Sequence, residues 1–209
     1  MIRLYAIPWS TNVERVSLAL AHKGIAAEVV MLDPGDRSPV VELSDQELVP
    51  VIDHDGRVVA DSPAIVEYLE ELRPEPALYP ADPARRAEIE VLIDWFNRVW
   101  KVAPNAIADA IDSGRPDPAG TEGLAREMAA ALDTFESLLA GRDFLAGDEL
   151  SALDVVVFPF VKYATIAPGP GDEETFHHVL HDYQRTGESH PRLAAWIARV
   201  DALPRAPGA

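Results

Sequence analysis

Hydroxyls at the starts of helices and one group of histidines are the residues whose types and spacing invite chemistry. Ser10, Thr11 and Asn12 follow Pro8-Trp9 in a turn that leads into a helix, where Thr11 and Glu14 have capping-box spacing. In Asp61-Ser62-Pro63, Ser62 stands where an N-cap belongs and Pro63 at the first helical position, where its missing N–H costs nothing. Ser151 and Asp154 make a third start of the Ser-x-x-Asp kind. His177 and His181 are four residues apart with His178 between them, so two imidazoles share a helix face and could pair on a metal ion. No third ligand stands at motif spacing, and Glu173 or Asp182 would have to be recruited. The expectation is therefore a polar helix face and no metal. Gly-rich phosphate loops, Gly-x-Ser-x-Gly and His-Glu-x-x-His are absent, which leaves no nucleotide or hydrolase reading.

The bulk composition narrows the chemistry further. The chain has no cysteine, which excludes disulfides, a cysteine nucleophile and thiolate metal sites. A net charge of −17 argues against nucleic acid and anionic membrane surfaces, whose phosphates need basic patches. The apolar run 155–161 is far too short to span a bilayer, and residues 1–10 lack the basic start and apolar core of a signal peptide. A cytoplasmic protein is the expectation.

The elements that must position these residues are legible from periodicity. Residues 2–7 read as a strand, followed by a helix with Val13, Val16, Leu18, Ala19 and Leu20 on its apolar side and Gly24 as its stop. Residues 28–32 form a second strand, and 33–47 an irregular loop with at most a short helix. Residues 49–53 and 58–60 are strands of a hairpin turning at His54-Asp55-Gly56-Arg57, where Asp-Gly supplies positive φ. Pro50, at the head of an apolar strand, must lie on an edge or take a special geometry. The helix after Ser62 buries Ala64, Ile65, Tyr68, Leu69 and Leu72. Four prolines in 73–83 mark a linker.

Everything beyond the linker reads as helix. Ile89, Leu92, Ile93, Phe96 and Trp100 lie on one long amphipathic helix that Pro104 should kink or end. Residues 115–123 read as a loop, and the next helix runs from Leu124 to near Gly141. The helix after Ser151 is apolar all round, hence buried. Residues 174–185 and 191–203 form two more, the last capped near Ser189.

Val49-Pro50, followed at fixed spacing by Asp61-Ser62 and Pro-Ala-Ile-Val-Glu-Tyr-Leu, resembles the glutathione S-transferase superfamily. Leu78-Tyr79-Pro80 and the Ser151–Asp154 box before a buried helix resemble its linker and C-terminal domain, so the likeness covers nearly the whole chain. It implies an α/β thioredoxin-like domain (βαβ-ββα) over 1–76, a linker over 77–82 and an all-α domain over 83–209. It also implies a cis bond at Pro50, a Val49 backbone pairing with the cysteinyl part of glutathione, and Asp61-Ser62 holding its γ-glutamyl end. The Ser151–Asp154 box has a folding role in that family.

By the same resemblance, which is to the serine-type, bacterial-like cytosolic branch, Ser10 polarises the glutathione thiol. Thr11 and Asn12 are the fallbacks, and the competing role of Ser10 and Thr11 is to cap the first helix. A thiolate gains from a hydroxyl hydrogen bond and from the positive end of a helix dipole. An apolar electrophile would lie against Pro8, Trp9, Phe96, Trp100 and Asn105, although Phe96 and Trp100 also suit a core. Relatives often carry a Lys directly before Val-Pro. Leu48 stands there instead, with Arg37 or Gln46 as possible substitutes. The implied activity is conjugation of glutathione, a co-substrate, to the electrophile by a homodimer. The alternatives are a non-catalytic binding protein on this scaffold, or a glutathione-dependent isomerase or lyase.

Overall fold

The computed structural model describes residues 1–115 and 117–206. Contacts divide the described residues into two compact units, one comprising Met1–Pro80 with residues 203–206, the other Ala81–Ala202. The sequence reading gave everything after residue 83 to the helical part. The structure returns the tail to the first unit: Ala206 N donates to Ser17 O at 3.1 Å and Ser17 Oγ to Ala206 O at 2.9 Å.

The first unit runs β1 (Ile2–Ala6), α1 (Thr11–Lys23), β2 (Ala27–Met31), α2 (Ser38–Ser44), β3 (Val51–His54), β4 (Arg57–Ala60) and α3 (Ser62–Leu72). The strand order is β2-β1-β3-β4. β1 pairs parallel with β2 and antiparallel with β3, and β3 pairs antiparallel with β4. This is the mixed sheet of a thioredoxin-like domain. Strand residues Ile2, Leu4, Val51 and Ile52 are buried with helix residues Val13, Val16, Leu20, Ile65 and Leu69. Gly24 ends α1 in the left-handed region at φ 59, where a Cβ would be strained. The hairpin turn tightens to Asp55-Gly56, both at positive φ.

Three of the helix starts up to α6 differ from the sequence reading. Ser10, not Thr11, is the N-cap of α1, because its extended backbone (φ −66, ψ 116) turns Oγ back to accept from Val13 N at 3.3 Å. Asp61, not Ser62, occupies the N-cap position of α3, and Ser62 is its first helical residue. The loop expected over 115–123 is shorter: α6 already starts at Pro118, because the Asp117 carboxylate caps Gly120 N at 3.1 Å. Pro116 of that loop lies outside the described residues.

Residues 73–82 carry no helix or strand, yet the first part is tied down. The fully buried Lys23 Nζ pairs with Glu70 and donates to Pro76 O at 2.6 Å, while Glu70 Oε2 accepts from Leu78 N at 3.0 Å.

The second unit is helical: α4 (Pro83–Trp95), a π-helical turn (Phe96–Trp100), α5 (Val102–Asp112), α6 (Pro118–Leu138), α7 (Ala152–Val161), a short 3-10 turn (Lys162–Ala164), α8 (Thr175–Tyr183) and α9 (Pro191–Asp201). The break expected at Pro104 comes one turn earlier. A prolyl ring crowds the carbonyl four residues back, here Trp100, and the helix widens before it, with Lys101 N donating to Phe96 O at 3.1 Å. Ser189 does not cap α9. The buried Glu136 of α6 does, accepting from Leu193 N at 2.8 Å and from Arg192 Nε at 2.9 Å.

Candidate functional site

The start of α1 is built by a tight descent from β1. Trp9, at φ 57 and 55% exposed, turns the chain so that Ser10 can cap. A serine hydroxyl has one proton and two lone pairs. Accepting from Val13 N consumes a lone pair and leaves the proton free to donate to an anion at the positive end of a 13-residue helix. Capping and thiol polarisation, which compete in the sequence reading, are thus compatible in one side chain. Thr11 is buried at the first helical position, and Asn12 is half-buried one residue on.

The start of α3 is brought to the same place by the sheet. Val51 pairs with Ala60, so the cis Val49–Pro50 bond that leads into β3 stands across from Asp61-Ser62, which follow β4. Pro50 lies just before the strand and therefore withholds no ladder hydrogen bond. Asp61 is exposed at φ 73, and its side chain caps nothing. Ser62 is 3% exposed.

What joins the two helix starts is a residue the sequence reading passed over. Arg15, 1% exposed, donates from Nη1 to Asn12 Oδ1 and to Ser62 Oγ, both at 3.1 Å. Ser62 Oγ in turn donates to Asn12 Oδ1 at 3.4 Å. Burial lowers the Arg15 guanidinium to about 9, against the opposing pull of the Asp61 charge, so it remains a cation at neutral pH. The signal for it was present: a charged residue set among Val13, Val16 and Leu18, three positions after Asn12.

Leu48 is 76% exposed, and Gln46 is spent on it, donating to Leu48 O at 2.8 Å and accepting from Leu48 N at 2.7 Å. Arg37 is half-buried, and its Nη1 is buried without a hydrogen-bond partner among the described residues.

In the second unit the candidate residues separate. Phe96 and Trp100 stack with centroids 4.5 Å apart, edge-on to Phe160, at 0% and 5% exposure. They are core, whereas Asn105 is exposed. Ser151 and Asp154 form a full capping box at α7. Asp154 also accepts from Leu145 N and Trp196 Nε1, each at 2.8 Å, and burial pushes its carboxyl above the usual carboxylate range despite those donors. The histidines are engaged structurally rather than lying on an open polar face. Buried His177 bonds Asp172 through Nδ1 at 2.7 Å, and His181 bonds Tyr163 O at 3.1 Å.

Comparison with known proteins agrees with this frame. Family models described as the N-terminal and C-terminal domains of glutathione S-transferase match residues 4–77 and 118–199. Glutathione transferase omega-1 of Caenorhabditis elegans is 30% identical over 197 residues, covering 92% of this chain and 73% of the relative. The chain belongs to the glutathione S-transferase family. It is thus an enzyme with glutathione-dependent activity. A probable maleylacetoacetate isomerase 1 of Drosophila melanogaster is 33% identical over 124 residues, 59% of this chain and 50% of the relative. The crystal structure of the beta-etherase LigF of a Sphingobium strain superposes with a TM-score of 0.76 at 25% identity, covering 96% of this transferase and 95% of that chain. No helix among the described residues is long and apolar enough to cross a membrane.

Proposed function

We propose that this transferase conjugates the thiol of glutathione to an apolar electrophile, with Ser10 as the group that polarises the thiol. The observation that carries the reading is the Ser10 hydroxyl, which caps α1 with a lone pair and keeps its proton to donate. An ordinary thiol loses its proton near pH 8.5, and a hydrogen bond at a helix N-terminus lowers that value. The proton leaves to solvent, and the thiolate sulfur attacks the electrophilic carbon. A carbon–sulfur bond forms as the leaving group departs with its electron pair.

The Val49 backbone holds the cysteinyl part, and Asp61 and Ser62 hold the γ-glutamyl end. Arg37 is our choice for the glycine carboxylate in place of a lysine at position 48, supported by its unpartnered buried nitrogen. Pro8 and the exposed Trp9 offer the electrophile an apolar contact, a role that the burial of Phe96 and Trp100 does not favour for them. We read the enzyme as a cytoplasmic homodimer, checked by light scattering and by fractionation.

Ser10→Gly is the deciding variant, because glycine caps a helix within a few tenths of a kcal/mol of serine yet has no hydroxyl. Turnover with an activated aryl halide falls about a hundredfold while calorimetric glutathione binding persists. Unchanged turnover overturns the role of Ser10, and no binding of glutathione at millimolar concentration overturns the thiol site.

A second reading, isomerisation or lysis with glutathione, draws on the names of the relatives above. Product analysis separates the two, since an isomerase regenerates free glutathione and a conjugating enzyme consumes one equivalent.

A further inference from the structure

The acidic residue in the first turn of α1 sets the helix against the chemistry at its start. Glu14 suits the helix, because a carboxylate near the N-terminus complements the macrodipole. It does not suit a thiolate at Ser10. Residues four apart on a helix are neighbours, and Glu14 N donates to Ser10 O at 3.0 Å, so the carboxylate and the sulfur would be like charges at that spacing. A nearby like charge holds a thiol in its protonated, unreactive form.

The C-terminal segment meets this charge. Ser17, one turn beyond Glu14 and 1% exposed, exchanges hydrogen bonds with Ala206 and pins it against α1. The pinning delivers the preceding side chain to the first turn, where Arg205 Nη2 donates to Glu14 Oε1 at 3.0 Å. The two side chains are only 20% and 14% exposed, so water screens the carboxylate weakly and the guanidinium does most of the cancelling. Arg15 and Asp61, the other charges at this end, interact with each other. Lys23, Glu70 and Arg73 gather at the far end of α1, and Tyr5 of β1 packs toward Leu32, Val40 and Val51.

We propose that Arg205 is a positioning residue for charge: its ion pair takes the Glu14 carboxylate out of the field at Ser10, so that α1 keeps an acidic first turn and the thiol still ionises readily. The proposal rests on the reading of Ser10 as the thiol site. Arg205 acts through Glu14 and not on glutathione itself.

The test follows ionisation of the thiol of bound glutathione by its thiolate ultraviolet absorbance. The pH profile of kcat/KM for an activated aryl halide, at saturating glutathione, gives a second reading. Arg205→Gln uncovers the Glu14 charge, and the thiol ionises roughly half a unit to one unit higher. Turnover on the acid side of the profile falls about threefold to tenfold, in step with the thiolate fraction. Adding Glu14→Gln to Arg205→Gln returns the profile to its wild-type position, and Arg205→Lys, which keeps the charge, leaves it there. Glu14→Gln alone, with the Ser17–Ala206 bonds intact, ionises at or below the wild-type value, and a raised value overturns the inference. So does an unshifted profile in Arg205→Gln, or a shift that Glu14→Gln fails to reverse, as a purely structural strap requires. Ser10→Gly, titrated alongside, checks the underlying reading separately. An unshifted thiol there overturns the role of Ser10, whereas a shift in Ser10→Gly without one in Arg205→Gln overturns only the role of Arg205.

Discussion

The start of α7 and the starts of α1 and α3 use the same residue types to different ends. At α7, Asp154 accepts from Ser151 N, Ser151 Oγ, Leu145 N and Trp196 Nε1, so every lone pair is consumed inside the second unit. At α1 and α3 the bookkeeping stays open. Ser10 retains its proton, Asn12 its amide nitrogen, Ser62 a lone pair, and Asp61 makes no cap at all. A saturated helix start is a joint. One left unsaturated, with a buried guanidinium holding it in place, keeps hydrogen-bonding capacity in hand.

Breaking the saturated start should have the largest effect. Asp154→Ala strands several buried donors and costs about 4 kcal/mol in chemical denaturation. Asp154→Asn sharpens the point through pH. Because burial raises the folded-state pKa above the unfolded one, the carboxyl contributes its full stability below the unfolded carboxylate value and loses it as pH rises through the raised one. The stability advantage of wild type over Asp154→Asn is therefore greatest in acid and shrinks as pH climbs through that window.

Next comes Ser10→Gly, where the stability change is a few tenths of a kcal/mol but turnover falls about a hundredfold. A stability loss comparable to that of Asp154→Ala would erase the contrast between the two kinds of helix start. Glu136→Ala removes a cap supplied from another helix and costs about 1–2 kcal/mol by thermal melting, with glutathione affinity unchanged. Arg37→Met has the smallest effect, a roughly threefold to tenfold loss of glutathione affinity without a fall in melting temperature. An unchanged affinity would remove Arg37 from the site.

Where a residue's role depends on its own neighbours in the chain, it was readable in advance. The Ser151–Asp154 box, the Gly24 stop and the positive φ of the Asp-Gly turn are local, and the structure has them as spacing implies. The errors were one-residue shifts and long-range substitutions. Thr11 and Ser10 are equally good caps by type, and only the positive φ of Trp9 places Ser10 at the corner. Ser189 lay at the right spacing for α9, but Glu136, more than fifty residues away in sequence, reaches the exposed N–H groups instead. Phe96 and Trp100 had the types of a pocket, and the aromatic cluster with Phe160 made them core.

The periodicity of apolar residues and the turn chemistry of Gly, Pro and Asp are properties of the chain alone. They sufficed for a βαβ-ββα unit followed by helices, because backbone preferences act within a few residues. Which polar groups end up paired is a question of three-dimensional proximity, and tertiary packing alone answered it. It buried Arg15 against Asn12 and Ser62, drew Glu136 to the start of α9, and left the Ser10 proton unpaired among the described residues. A buried polar atom must find a partner from whatever the fold brings near, and sequence distance carries no information about that choice.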